Sequence, residues 1–181
     1  MGEICNISVG QKSKAIHNIP CEYLYINAGT TPSGYTDNSN CEEDTITTPS
    51  RGQGGIGYIG YQQRPFWLGP LCYSIKSHNS NIKTKYLYYY LKAFNTIIIS
   101  LKNEGGTPAI NRRDLAKVRI PIPPLEFQEK IVAILDRFET LVNDLTQGLP
   151  AEIAAVKEQY EFYRNRLLSF NCRVATCGDR N

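Results

Sequence analysis

The chain has 181 residues, 41% of them hydrophobic and 10% aromatic, with 20 Lys/Arg against 17 Asp/Glu. That length suits one ordinary domain with room for a second small element, and that composition excludes a wholly disordered chain. Its most apolar run, Ile97-Ile98-Ile99, falls far short of the roughly 18 residues a membrane helix needs, so no membrane role is expected.

The opening residues, Met1 to Asn6, have neither a basic flank nor an apolar core, so no secretory signal is expected. Six cysteines, at positions 5, 21, 41, 72, 172 and 177, are scattered rather than clustered. Disulfide scaffolds are shorter and secreted, so these read as reduced thiols of a cytoplasmic protein. Cys172 and Cys177, the only close pair, have four residues between them and no histidine nearby. No metal site is expected from that spacing.

In chain order, residues 22–27, 57–61 and 71–75 are short runs rich in Tyr and Ile between turn formers, and they predict strands. Residues 84–101 predict a helix: Leu87, Tyr90, Leu91 and Phe94 recur at helical spacing, and Thr84 is placed to cap it. Val118 to Ile122 predicts a last strand before the prolines. Composition then changes at Pro123-Pro124: 12 of the 14 glycines and 9 of the 10 prolines precede residue 125. The charge divides as well, with 13 Lys/Arg against 8 Asp/Glu before residue 125 and 7 against 9 after it. A polyanion would meet the front part. The fold class expected is α+β: a small sheet-containing domain over 1–124, a helical region over 125–170, and a disordered tail over 171–181.

The rear region carries the clearest periodicity. Ile131, Leu135, Phe138, Val142, Leu145 and Leu149 are spaced alternately by four and three; Ile153, Val156, Tyr160, Tyr163, Leu167 and Phe170 continue the pattern after one stutter. Such a seam needs a partner surface along its length. Gly148-Leu149-Pro150 interrupts it, since proline breaks the helical ladder and costs about 3 kcal/mol inside a helix. Because the spacing runs on across the break, a kinked, extended coiled-coil-like rod is favoured over a hairpin. Fully helical, Ile131 to Phe170 would span roughly 58 Å.

Motifs for chemistry are few. Gly52-Gln53-Gly54-Gly55-Ile56-Gly57 matches a dinucleotide fingerprint in letters, but the Tyr- and Gly-containing stretch after it is a poor helix, and no phosphate-loop lysine follows. His17 and His78 are the only histidines and show no nucleophile–base spacing. Glu42-Glu43-Asp44 reads as a solvated turn. The Asn/Asp-Pro-Pro-aromatic motif of nucleic-acid aminomethylating enzymes is missing; Ile122-Pro123-Pro124-Leu125 lacks the polar residue. No catalytic residue is assigned. Residues 47–64 differ, offering hydroxyls, Arg51, Gln53, flexible glycines, Tyr58, Tyr61, Gln62, Gln63 and Arg64. Arginine grips guanine bidentately, glutamine pairs with adenine and hydroxyls hold phosphates. An ordinary polar turn between strands explains the segment equally well.

Gly105-Gly106-Thr107-Pro108-Ala109-Ile110-Asn111, followed by Ile120-Pro121-Ile122-Pro123-Pro124-Leu125-Glu126-Phe127-Gln128, resembles the end of a target recognition domain in type I restriction–modification specificity subunits. The next stretch, Ile134-Leu135-Asp136-Arg137-Phe138 through Gln159-Tyr160-Glu161-Phe162-Tyr163-Arg164 to Leu167-Leu168-Ser169-Phe170, is similar to their helical spacer. The resemblance implies a non-catalytic subunit whose front domain reads one half of a split double-stranded DNA target. It also implies modification subunits that bind S-adenosylmethionine and methylate adenine, and restriction subunits in the full complex; no cofactor is expected in this chain. Full-length members have two recognition domains and two spacers, whereas one of each is present here, which implies a homodimer or pairing with a second half through the seam from Ile131 to Leu167. The expected DNA contacts are Ser50, Arg51, Gln53, Tyr61, Gln62, Gln63 and Arg64, with Lys12 and Lys14 on phosphates. The alternative function is a protein-interaction module that uses the seam and reads no DNA.

Overall fold

The computed structural model describes residues 1–52, 54–103, 106–145 and 150–169, without the side chains of 145 and 150–153. The other residues, including Gln53, Leu149, Phe170 and the tail, lie outside the described residues, as do the side chains of Leu145 and Ile153.

Among the described residues, seven strands form two small sheets. In the first, β1 (Cys5–Val9), β7 (Cys72–Ser77), β4 (Thr45–Pro49) and β5 (Gly60–Gln62) lie in the order β1-β7-β4-β5, all antiparallel. The second has the order β3-β2-β6, with β2 (Tyr23–Ile26) antiparallel to β3 (Tyr35–Thr36) and parallel to β6 (Phe66–Leu68). Phe66, Leu68 and Cys72 make a small core where β6 and β7 meet. Gly10 lets the two sheets close on each other: a Cβ there would stand 2.1 Å from the Gly69 carbonyl oxygen.

The expected strands at 22–27 and 71–75 correspond to β2 and β7; of the strand expected at 57–61 only Gly60 and Tyr61 join β5, and residues 57–59 form no strand. Residues 118–122 do not form a strand; Val118 ends α3 (Arg112–Lys117), and no ladder pairs with it. The expected helix at 84–101 is two helices, α1 (Thr84–Ala93) and α2 (Asn95–Ile99), divided at Phe94. Thr84 does not cap α1. The cap position is Lys83, and Thr84 is buried within the first turn, where its hydroxyl accepts from the Ser77 N–H. Strand β4 was hidden by its own composition: Thr-Ile-Thr-Thr-Pro reads as a polar turn, yet all five residues are buried at the sheet centre.

Helix α1 is the keystone. Tyr86, Leu87, Tyr88, Tyr89, Tyr90 and Leu91 are all buried, so the helix is covered on every side, as an all-round apolar helix must be. On one side lie Cys5, Ile7, Ile46 and Ile75 of the first sheet; on the other lie Ile131, Leu135 and Leu168 of the rear helices, all in one continuous core.

Those rear helices correct the expected rod. Helix α4 (Leu125–Leu145) and α5 (Pro150–Leu168) pack against each other, with Phe138 5.9 Å from Tyr163 and 6.2 Å from Tyr160, ring centre to ring centre. In a continuous helix Phe138 and Tyr163 would be roughly 37 Å apart. The chain therefore reverses and the seam closes on itself. Ile131 and Leu135 are buried; Phe138, Val142, Val156, Tyr160 and Leu167 are half-buried, and Tyr163 is exposed. Periodicity fixes which face is apolar but not which copy of that face covers it, and on this point the unbroken spacing misled.

Candidate nucleic-acid interface

Strand β4 carries the expected DNA residues to two different places. Thr45 pairs with Gln62 and Thr47 with Gly60, so Gln63 and Arg64 leave the sheet at the start of β4. Arg51 leaves beyond its far end, after Pro49. Six residues of strand separate Thr45 from Arg51, roughly 20 Å. One stretch of sequence that looked like a single contact loop is divided between opposite ends of a sheet.

At the Arg51 end, Ser50 is buried; its N–H donates to the Leu71 carbonyl at 2.8 Å and its carbonyl accepts from the Ile110 N–H at 2.9 Å. That burial takes Ser50 out of the exposed contact set. Arg51 is exposed and bridged to Ala109, and the Gly52 N–H donates to the Pro108 carbonyl at 3.1 Å. Gly52 has φ +118°, a left-handed conformation, and faces open space, so glycine serves the backbone here rather than packing. The same bridge brings in Asn111, Arg112 and Arg113, all exposed at the start of α3. Sequence reasoning missed these two arginines; the adjacent pair in Asn-Arg-Arg-Asp was the available signal.

At the other end the surroundings are acidic. The Tyr61 hydroxyl donates to Asp44 at 2.5 Å, its ring packs 5.2 Å from that of Tyr88, and the Lys85 ammonium lies 5.7 Å from its centre. Burial, and then the Asp44 carboxylate, push its phenol well above the usual range. Tyr61 is thus committed to the fold rather than offered to DNA. Gln62 donates to the Thr47 hydroxyl at 3.2 Å. Gln63 is exposed and lines a 510 Å³ cleft whose opposite wall holds Asp136 and Glu139, groups that repel a phosphate. Arg64 is exposed.

Lys12 and Lys14 are exposed in the connection between β1 and β2. They line a 250 Å³ cleft with Trp67 and Asp37, and the Trp67 indole N–H donates to the Gln11 carbonyl at 2.9 Å.

The front-domain cations fall into two classes. Lys83, Lys85 and Lys92 are paired to Glu129, Asp136 and Glu139 of α4 at 3.1, 2.8 and 2.9 Å, and Lys76 is paired to Glu42 at 2.8 Å. Lys12, Lys14, Arg51, Arg64, Arg112, Arg113 and Arg119 make no ion pair with another described residue. Helix α4 thus neutralises the lysines around α1 and leaves the loop cations to solvent.

The contacts that hold α4 explain the motifs flagged in the sequence. Gln128, fully buried, accepts from the Lys83 N–H at 2.9 Å and donates to the carbonyls of Asn81 and Pro123 at 2.9 and 2.8 Å. Asp136 accepts from Lys85 at 2.8 Å and from the Tyr89 hydroxyl at 2.5 Å. Glu139 accepts from Lys92 at 2.9 Å and from Tyr89 at 3.1 Å. Burial lowers the Lys92 pKa, but hydrogen bonds to Tyr88 and Glu139 outweigh it and hold the ammonium above its usual range.

Residues 1–155 match the sequence model described as the type I restriction modification DNA specificity domain. The chain belongs to that family. It is 35% identical to the MpnII specificity subunit of Mycoplasma pneumoniae over 173 residues, covering 93% of this chain and 51% of that protein. Over 94 residues it is 42% identical to the EcoR124I/EcoR124II specificity subunit of Escherichia coli, covering 51% of this chain and 23% of that protein. The chain therefore spans about half the length of the first of these relatives and less of the second. Among solved structures, a type I S subunit from M. genitalium superposes with a TM-score of 0.71 at 23% identity, covering 81% of this chain and 39% of that one. The HsdS subunit from Thermoanaerobacter tengcongensis superposes with a TM-score of 0.60 at 21% identity, covering 92% and 43%. In this specificity-family chain, then, Gln128, Asp136 and Glu139 are the residues by which α4 grips α1 and the segment before it, while Phe138 holds α4 to α5.

Proposed function

We propose that this chain is a DNA sequence-specificity subunit whose front domain reads one half of an interrupted duplex target, performs no chemistry itself, and positions adenine methyltransferase subunits. The observation that carries the reading is the division of cations: α4 consumes the lysines around α1, while Arg51, Lys12 and Lys14 on loops and Arg112 and Arg113 at the start of α3 remain exposed, where a phosphate backbone can reach them. Arg51, with Arg112 and Arg113 beside it, is the base-reading candidate; Lys12 and Lys14 are the phosphate candidates. S-adenosylmethionine belongs to the methyltransferase partner in this reading.

The helical hairpin supports pairing with a second copy or a second half. Phe138 and its partners Tyr160 and Tyr163 are placed nearly symmetrically about Leu149-Pro150 in the sequence. Two chains laid antiparallel across that midpoint would repeat the same contacts between copies. Phe127, Ile134 and Leu141, seven residues apart on α4, and Phe162 on α5 are exposed besides, offering an apolar surface to a partner subunit.

The test mixes this chain with its modification subunit and a random-sequence duplex library, reading adenine methylation. An enriched interrupted palindrome supports half-target reading by a homodimer, and an asymmetric interrupted site calls for a different second half. If the complex assembles but enriches nothing at any salt, the chain is an interaction module that uses the exposed helical face.

A further inference from the structure

In the β1–β2 connection that also carries Lys12 and Lys14, one cluster joins His17 and Cys21 to the more distant Asp37. His17, Cys21 and Asp37 bring an imidazole nitrogen, a thiol sulfur and a carboxylate oxygen within 4.8 Å of one another. His17 Nε2 and Asp37 Oδ2 are 3.0 Å apart. Backbone pairing sets the arrangement. The His17 N–H donates to the Tyr35 carbonyl at 2.8 Å and its carbonyl accepts from the Tyr35 N–H at 2.9 Å. Tyr23 is in register with Thr36, so the chain just before β2, with Cys21, runs alongside Asp37, the residue after β3. The three ligands are thus carried on the main-chain framework of β2 and β3.

We propose that His17, Cys21 and Asp37 form a zinc site, with the fourth position open to water. The donor set is the nitrogen, sulfur and oxygen combination that zinc accepts, at bond lengths of roughly 2.0–2.3 Å. Tetrahedral bonds of that length place donor atoms about 3.5 Å apart. Donors already within 4.8 Å, on exposed side chains free to rotate, reach that spacing without moving the backbone. Charge also balances: a thiolate and a carboxylate neutralise the divalent ion, which matters because Lys12 and Lys14 line the adjoining cleft with Asp37. Binding breaks the His17–Asp37 hydrogen bond and shifts the imidazole proton from Nε2 to Nδ1, so Nε2 gives its lone pair to the ion, and the Cys21 thiol proton is released to solvent as the sulfur–zinc bond forms. The bound ion would tie the β1–β2 connection, which carries Lys12 and Lys14, to the end of β3. A stretch with three ligands at positions 17, 21 and 37 has no zinc-knuckle spacing, which is why the sequence alone did not show it.

Titration of the full chain with cobalt(II), followed by displacement with zinc, tests the site. One equivalent should bind, with a thiolate-to-cobalt charge-transfer absorption that zinc abolishes. Cys21→Ser should remove that absorption, and His17→Ala and Asp37→Asn should weaken binding by more than the roughly 10- to 100-fold typical of outer-shell changes. Because all three side chains are exposed, the variants should keep the wild-type melting temperature without metal, which separates loss of a ligand from loss of fold. A Cys172→Ser/Cys177→Ser double variant should bind as the parent does. Absence of the charge-transfer band in the parent, or its persistence in Cys21→Ser and loss in the double variant, would overturn the proposal.

Discussion

Arg51 and Lys12 are both exposed cations, yet they should fail differently when removed. Arg51 sits at a strand end whose backbone is fixed by Leu71, Pro108 and Ala109, so its guanidinium has a defined register from which to read a base. Arg51→Ala should relax preference at one target position and cost about 1–3 kcal/mol, measured by competition among singly substituted duplexes. Unchanged preference would remove it from base reading. Lys12→Ala should weaken all sequences alike and reduce the slope of log affinity against log salt by about one. Gln128 tests the fold rather than the DNA. Gln128→Leu strands the Lys83 N–H and the carbonyls of Asn81 and Pro123 without partners, each costing about 1–3 kcal/mol. A total of at least about 3 kcal/mol should lower the melting midpoint by roughly 6–12 °C or more. The buried thiols give a pH dependence. Burial raises Cys5 to about 11 and Cys72 to about 12, from 9.0 for an ordinary thiol. Above pH 9 the unfolded chain sheds these protons while the folded chain keeps them, so unfolding is favoured. Stability should be flat with respect to these groups below pH 9 and decline from there through pH 11 and 12, as chemical denaturation at a series of pH values would show.

At the scale of elements, the helical hairpin rests on a few aromatic contacts. Phe138→Ala removes a half-buried ring that touches both Tyr160 and Tyr163, and should cost roughly 2 kcal/mol, about half the penalty for a fully buried phenylalanine. Amide exchange over 154–168 should accelerate more than exchange in β4 or β7, since α5 loses its hold while the first sheet keeps its core. Uniform acceleration across the chain would mean that the hairpin and the sheet unfold together. Strands β2 and β7 were legible because aromatic and β-branched residues there stand between turn formers, and β5 only in part, since the run at 57–59 that announced it lies outside the strand. Strand β4 was not legible: Thr45, Thr47 and Thr48 are polar letters in a buried place. Helix α1 was legible as a helix, but not as the layer between the sheet and α4. That role depends on Asp136 and Glu139, which come about fifty residues later and reach Lys85, Tyr89 and Lys92 across the fold.

For the whole molecule, the front domain and the helices share one core, and the ion pairs from α1 to α4 hold the two in a fixed relation. Under the proposed function that rigidity would keep the spacing between two half-targets defined, because a loose joint would blur it. The expectation is that Lys92→Met, which leaves Glu139 without its ammonium partner, lowers stability and broadens the accepted spacer length between half-sites in the methylation assay. Narrow spacing retained in a destabilised variant would place spacer measurement elsewhere in the complex. The motifs over 105–170, with the Pro-Pro-Leu-Glu-Phe-Gln turn among them, carried the resemblance to the family, periodicity along 131–167 located the rear helices, and the turn-rich front half pointed to the α+β class, whereas α3 and the break at Phe94 were not read. These features are local, and local patterns of apolar spacing and turn chemistry survive in the linear chain. The reversal between α4 and α5, the separation of Arg51 from Arg64, the burial of Ser50 and the meeting of His17, Cys21 and Asp37 came only from tertiary structure. Each depends on which distant segment covers a given face, and burial by a distant partner leaves no mark in the spacing of the residues it covers.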